Sequence, residues 1–252
     1  MKKIILRMDD VGSSSKQFEV YSNFFWGNLL FLKYFTPFAA WGPYIELTEK
    51  MWKEILQILA NLNVKMTVAI TACWVEKDGS LIPFTRKFPK QAAALKKGVE
   101  EGLIEVANHG LTHCVVGKHL PRLFSSNRKF HREFWKWIPK EIHYRHLEES
   151  QKKLQDYFGK VLTFVPPGGV WTKDTEIAAF KSNIRYLCAS SSLVKTGKLS
   201  NGLIYIEDSD NLVFHDRDIS KNGINWLKDK LKQLKNDKFE MTTVLNFAQD
   251  IK

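Results

Sequence analysis

The residues best suited to chemistry stand where short apolar runs end. Lys3 to Met8 (KIILRM) leads into the acidic pair Asp9-Asp10, followed by the turn residues Val11-Gly12-Ser13, and Leu103 to Ala107 (LIEVA) leads through Asn108 into His109, with His113 beyond it. A divalent ion of the zinc type needs a few fixed nitrogen or oxygen donors and one open position for water. Asp10, His109 and His113 supply such a set. The spacing of the two histidines brings both rings to one side whether Gly110-Leu111-Thr112 forms a helical turn or a tight loop. An HxxxH pair alone, or an acidic pair alone, is as readily a surface feature or a solvated turn. That both follow apolar strands argues for a shared site.

Those side chains have to be held by regular elements, and the periodicity supplies them. Thr48 is placed to cap an amphipathic helix through Asn63, with Met51, Trp52, Ile55, Leu56, Ile58 and Leu59 on its apolar side. A strand over Lys65–Thr71, a helix over Lys90–Glu101 stopped by Gly102, and the strand Leu103–Ala107 follow. Further on, the pattern predicts a helix from Leu147 to Phe158 ended by Gly159. After it come a strand Val161–Val165 opening onto Pro166-Pro167-Gly168-Gly169 and a helix from Thr172 to Lys181. Short strands at Arg185–Ala189, Leu203–Ile206 and Leu212–Phe214, a helix Ile224–Leu234 and a last strand Glu240–Leu245 complete the reading. Strands separated by helices imply right-handed βαβ units and a mostly parallel sheet, open or closed into a barrel, with chemistry at the strands' C-terminal ends.

The chain has 252 residues, 44% hydrophobic and 26% charged, which suits one α/β domain with a sizeable core. Two segments read as inserts. Residues 24–44 are dense in aromatics such as Phe24, Trp26, Phe35 and Trp41, and residues 119–146 mix Arg128, Lys129, Arg132 and Lys136 with Phe130, Trp135 and Trp137. The first reads as a core helix or an apolar cover for a lipid-linked acceptor; the second as a solvated basic hairpin or a clamp for a diphosphate. A formal charge of +11 suits a polyanionic partner or reflects only a Lys-rich solvated surface. Cys73, Cys114 and Cys188 are far apart with no CxxC spacing, so they are expected as reduced thiols and the protein as cytoplasmic, at the inner face of the membrane if its acceptor is lipid-linked. Neither a secretory leader nor a membrane span is expected.

In their order along the chain these motifs resemble those of the polysaccharide deacetylases, the NodB-homology or carbohydrate esterase family four enzymes. The first motif resembles Leu6-Arg7-Met8-Asp9-Asp10, the second Asn108-His109-Gly110-Leu111-Thr112-His113, the third Val165-Pro166-Pro167-Gly168-Gly169, and the late strand ending in histidine Leu212-Val213-Phe214-His215. The resemblance implies a distorted (β/α) barrel, one divalent metal, expected to be zinc, on Asp10, His109 and His113, with Asp9 as base and His215 as general acid. The metal would acidify water and polarise the acyl carbonyl, Asp9 would take the proton, and His215 would protonate the departing amine. Where the family opens its third motif with an arginine that holds the base, this chain has Val165. Arg7, on the same strand face as Asp9, and Arg217, near His215, are the candidates to replace it. Asp208 and Asp210 loosely echo the aspartate that tunes the acidic histidine.

Pro167, Gly168 and Gly169 are expected to form a pocket wall and Trp171 to stack on a sugar ring; His119, His131, His143 and His146 are expected at the surface or within the insert. The implied function is hydrolysis of the N-acetyl group of an amino sugar, nucleotide- or lipid-linked, in the making of a surface polysaccharide such as O-antigen or capsule. The alternatives are a formamide or other C–N hydrolase of the same fold, and a non-catalytic carbohydrate- or nucleic-acid-binding protein. Peripheral membrane contact is allowed for, and nucleic acid is the less favoured partner.

Overall fold

A computed structural model describes residues 2–17, 46–120, 128–190, 195–207 and 211–250. In chain order its elements are β1 (Lys2–Val11), α1 (Glu49–Leu62), β2 (Met66–Ile70), β3 (Cys73–Val75), β4 (Leu81–Pro83), α2 (Phe84–Lys87), α3 (Pro89–Glu100), β5 (Ile104–Asn108), α4 (Lys140–Phe158), β6 (Thr163–Phe164), α5 (Lys173–Lys181), β7 (Tyr186–Ala189), β8 (Gly197–Lys198), β9 (Ile204–Glu207), β10 (Leu212–His215), α6 (Asp216–Asn222), α7 (Ile224–Asn236), β11 (Phe239–Thr242) and α8 (Val244–Asp250).

The main sheet runs β10-β1-β2-β5-β6-β7-β9-β8, with β11 also on β1, and every pair is parallel except β8 with β9. It curls into a half-barrel, the distorted (β/α) barrel expected from the motifs. Strand β1 pairs with β2, β10 and β11: Leu6–Asp9 with Leu212–His215, and Lys2–Ile5 with Phe239–Thr242. Between β9 and β10, the Asn211 side chain accepts from Ile5 N (2.7 Å) and donates to Glu207 O (3.2 Å), tying the ends of the curl together through its amide.

Local chemistry accounts for the helices. Thr48 accepts from Met51 N at 3.2 Å, and α1 buries Trp52, Ile55, Leu56 and Leu59 against the β1, β2 and β5 side of the core. Thr172 and Thr175 form a reciprocal capping box at the start of α5. A second cluster under α4 and α5 gathers Phe134, Leu147, Phe164, Leu187 and Tyr205.

Several expectations need correction. Helix α4 begins at Lys140, seven residues before Leu147, because its first turns present His143 rather than an aliphatic residue to the core, and the apolar period is hidden there. His143 is buried, bonded to Thr175 Oγ1 at 2.9 Å and edge-on to Phe134, and His119 and His131 are also buried; of the two places expected for them, the surface is excluded and all three lie in the interior of the insert-like segment. The last strand stops at Thr242, and Val244–Asp250 is helical. Its first amides find buried acceptors, Val244 N on Thr67 Oγ1 and Leu245 N on Glu105 Oε2, both at 2.9 Å, which turns the apolar run under the sheet instead of along it. The β3–β4 hairpin and α6 were not expected. Residues 24–44, and 121–127 of the second insert-like segment, lie outside the described residues. Among the described residues no helix is long and apolar enough to cross a membrane. The three cysteines are free and buried.

Candidate active site and metal centre

In a regular strand, neighbours face opposite ways, so Asp9 and Asp10 could not both reach one cleft. The backbone solves this with an extra residue. Met8 pairs with Val68 and Val11 with Ile70, three steps on β1 against two on β2, and Asp10 sits at φ 69°. Such a bulge re-aims a side chain at the strand end. The turn is held from behind: Asp10 O accepts from Ser13 N (3.0 Å) and from the buried Lys16 ammonium, which also lies 2.6 Å from Asp216 at the start of α6.

The second strand end carries the histidines. His109 Nε2 and His113 Nε2 lie 3.2 and 3.0 Å from Asp10 Oδ1, and one donor atom from each of the three residues falls within 4.8 Å of the others. Their far sides are anchored, His109 Nδ1 to Val165 O at 2.7 Å and His113 Nδ1 to Ser15 Oγ at 3.0 Å. The donors fit a divalent ion. A carbonyl only accepts, so His109 Nδ1 carries the proton, and a neutral ring turns a bare Nε2 toward a carboxylate oxygen. Two lone pairs at that distance repel unless a proton or a metal cation lies between them. His113 Nε2 is buried and makes no hydrogen bond of good geometry among the described residues.

Glu133 holds the loop between these ligands. Its buried carboxylate accepts from Leu111 N (3.1 Å), Thr112 N (3.2 Å), His113 N (3.0 Å) and His146 Nδ1 (2.5 Å). Gly110, at φ 82°, allows this approach, since a Cβ there would fall 2.3 Å from Glu133 Oε2. Sequence reasoning missed Glu133. Its only signal was an acid in a basic aromatic segment.

Asp9 is gripped by Arg7, with Nε to Oδ1 at 2.8 Å and Nη2 to Oδ2 at 2.9 Å, both side chains buried. A third guanidinium nitrogen, Nη1, reaches Cys188 Sγ at 3.1 Å, in the same apolar cluster as Val165. Of the two candidates for the missing arginine, the structure puts Arg7 on Asp9, while Arg217 Nη2 lies 3.6 Å from Asp10 Oδ2. His215 is in register with Asp9 on the neighbouring strand, its Nε2 4.0 Å from Asp10 Oδ2. Its carboxylate partner is Asp218, which accepts from His215 N at 2.7 Å and lies 3.5 Å from Nδ1. Asp208 and Asp210 lie outside the described residues, and the partner was legible only to a reading that placed a helix directly after His215.

Electrostatics follow the geometry. Burial lifts the Asp10 carboxyl, but the facing imidazoles of His113, His215 and His109 outweigh it and hold Asp10 well below the ordinary carboxylate range. For His215 burial works against the charged ring, yet the Asp10 charge and the Asp218 hydrogen bond prevail and raise its pKa.

Together these groups line a cleft of about 540 Å³, with Pro166, Gly168 and Gly169 on its wall. Pro167 and Trp171 do not line it. Pro167 is buried against the Gly110 backbone, and Trp171 packs on Tyr205, ring centroids 5.9 Å apart, because the turn directs both into the core. A somewhat larger cleft, about 640 Å³, lies beside Trp74 and Lys87, away from the metal-donor triad.

Comparison with known proteins identifies the family and the fold. The family model described as polysaccharide deacetylase matches residues 42–187, more than half of the chain. Among solved structures, a Mycobacterium smegmatis protein assigned as a polysaccharide deacetylase is 13% identical, with 98% of this chain and 89% of that one covered at a TM-score of 0.61. A family 4 acetyl xylan esterase from Clostridium thermocellum, in complex with a cobalt ion, is 14% identical over 97% and 89% of the two chains at 0.52. A mutant of a CE4 family pseudoenzyme with restored enzymatic activity is 12% identical at 0.54; this chain covers 66% of its length, just under two thirds. No curated protein matches the chain.

Proposed function

Because the chain belongs to the polysaccharide deacetylase family, we propose that it is a working metal-dependent hydrolase that removes the acetyl group from an N-acetylated amino sugar. The observation that carries this reading is the meeting, in one cleft, of a donor triad, a carboxylate fixed by a guanidinium, and a histidine whose charged form is favoured. Asp10, His109 and His113 would hold the ion, and a set of two nitrogens and one oxygen suits zinc. Bound there, the ion supplies an acidified water and a Lewis acid for the acyl carbonyl.

The protein's own groups do the rest. Asp9 takes a proton from the attacking water, and the bidentate contact with Arg7 keeps its oxygens aimed. His215, facing Asp9 from the adjacent strand, gives a proton to the departing amine, without which the amide nitrogen is a very poor leaving group. Asp218 orients that ring, and the Pro166, Gly168 and Gly169 wall shapes the sugar's seat. The catalytic unit in this reading is one domain spanning the chain. A nucleotide- or lipid-linked precursor of a surface polysaccharide, handled in the cytoplasm, fits the three free cysteines and the charge of +11.

The test is mass spectrometry of N-acetylated sugars after incubation with the zinc-loaded protein. The reading expects loss of one acetyl group with release of acetate, and one metal per chain that His113→Ala does not retain. Formate release from formylated sugars alone would move the activity to a different C–N bond. No turnover, with metal still bound, would make the chain a binding protein on this fold.

A further inference from the structure

Three of the four large apolar side chains that stand exposed among the described residues meet at one groove. Leu81 on β4 is 40% exposed, Val116 on the loop continuing from His113 is 37% exposed, and Trp137 ahead of α4 is 42% exposed; the fourth, Phe180 on α5, does not line it. The groove encloses about 480 Å³, and Ile138, Pro139 and Ile142 continue its apolar lining. Contiguous apolar surface left open in this way marks a contact site, whereas single exposed apolar residues mean little. The site is also set in advance. Trp137 stands edge-on to Phe130, ring centroids 5.7 Å apart, so its ring loses little further freedom when an occupant arrives.

Charge says what the occupant is. Lys118 and Arg145, both exposed, line the groove, and the one carboxylate in the lining, Glu133, is buried and bonded to His146. Around Trp137 in the chain, Lys136 and Lys140 outnumber the single acid Glu141, while Lys77 and Asp78 in the β3–β4 turn cancel. Hydrogen-bonding groups are scarce. Among the described lining residues Thr112 carries the only hydroxyl, and it donates to Cys114 O at 2.8 Å. A protein partner would find little to bond here, where stable protein interfaces carry about one hydrogen bond per 100–200 Å². An acyl chain needs none, and the flanking cations meet a phosphate headgroup. We propose that this face docks on a bilayer containing anionic phospholipids, with Leu81, Val116 and Trp137 entering the interface and Lys118 and Arg145 on the headgroups. Tryptophan suits that position, with an apolar ring and a polar N–H. The inference goes beyond the deacetylase reading and does not depend on it. Thr112 and Glu133, from the metal loop and its clamp, also line the groove, so docking brings the loop between His109 and His113 close to the lipid surface.

The experiment is flotation of the full chain with two kinds of vesicle, phosphatidylcholine alone and phosphatidylcholine mixed with phosphatidylglycerol. The protein should float with the mixed vesicles and bind the neutral ones more weakly. Trp137→Ser and, independently, Leu81→Ser should each weaken association with the mixed vesicles by about threefold to tenfold, as loss of a partly inserted apolar side chain provides. Lys118→Glu combined with Arg145→Glu should weaken it by about tenfold or more. A control removes the same net charge elsewhere: Lys228→Glu with Lys232→Glu, both exposed on α7 and outside the groove, should leave association within about twofold. Thermal melts check that each variant is folded. No flotation with the mixed vesicles overturns the proposal, as does an equal loss from the two charge reversals, which would reduce the effect to the net charge of the chain. Binding that survives both serine variants in folded protein also overturns it. So does self-association without lipid that Trp137→Ser abolishes, since the groove would then belong to a second copy of the chain. Acetate release is measured without vesicles, so the deacetylase reading and the docking proposal can each fail alone.

Discussion

Asp9 and Asp10 are neighbours in sequence with different surroundings, Asp9 gripped by the Arg7 guanidinium and Asp10 set among the imidazoles of His109, His113 and His215 with Arg217 beside it. In the proposed reading Arg7 would do from β1 what the resemblance of the motifs assigns to an arginine opening the third motif, where this chain has Val165. Arg7→Gln should lower kcat by about a hundredfold, of the order of a misplaced general base, with metal content unchanged. If kcat is retained, Asp9 does not depend on that grip. The Asp218 contact gives a second prediction, in pH. A raised His215 pKa means the proton-donating form persists above the ordinary imidazole range and is lost as pH rises through the raised value. Asp218→Asn removes a bond and a charge that favour this form, so the alkaline limb of kcat/KM should move to lower pH. An unmoved limb assigns the proton to another group. Asp10, His109 and His113 were legible in the sequence because each lies at or just beyond an apolar strand. Glu133 was not, because what it does depends on its approach to a loop about twenty residues away, and no local pattern records that approach.

At the scale of elements, the site is made by two strand ends and the braces behind them. The β1 bulge and the His109–His113 loop both include a residue at positive φ, Asp10 at 69° and His113 at 59°. Such conformations cost of order 1–3 kcal/mol each and persist only where the surroundings over-determine them. Lys16 and Glu133 are those surroundings. Glu133→Ala strips a buried acceptor from three backbone amides and from His146, so the metal-free protein should lose about 3 kcal/mol or more in urea unfolding, and metal affinity should fall about tenfold to a hundredfold. Burial lifts the Glu133 carboxyl, but the His146 hydrogen bond and charge with the backbone amides hold it below the usual value. Its stabilising effect is therefore present above the ordinary carboxylate range and lost as pH falls through the lowered pKa, so the gap between wild type and variant should close on acidification. A loss of stability without any change in metal affinity would make Glu133 a structural residue only. The elements that periodicity missed share one property. Helix α6 (DRDISKN) buries Ile219 as its only aliphatic residue, so no apolar stripe announces it, yet it places Asp218. The start of α8, Val244 and Leu245, reads as the end of the preceding strand because the acceptors of its first amides, Thr67 and Glu105, are remote in sequence.

At the scale of the molecule, the mostly parallel sheet was legible from alternating strands and helices, its strand order was not, and the curl came from the resemblance of the motifs. The ion proposed here would join the end of β1 to the loop after β5, in a half-barrel in which the Asn211 amide links β1 to β9. Metal bound at about a thousand times its dissociation constant adds about 4 kcal/mol to stability, of order 10 °C in melting temperature for a chain of this size. Chelation should lower the melting temperature of the wild type by about that much and leave His113→Ala unmoved; equal shifts in both would place the ion elsewhere. The central claim is that one cleft holds a metal and hydrolyses an amide with Asp9 as its base. Acetate release and metal content, measured side by side on wild type and Asp9→Asn with an N-acetylated amino sugar, test it most directly. The account predicts one ion per chain in both proteins, acetate equal to the amine formed in the wild type, and none from Asp9→Asn. Acetate released at the same rate by both proteins would contradict it.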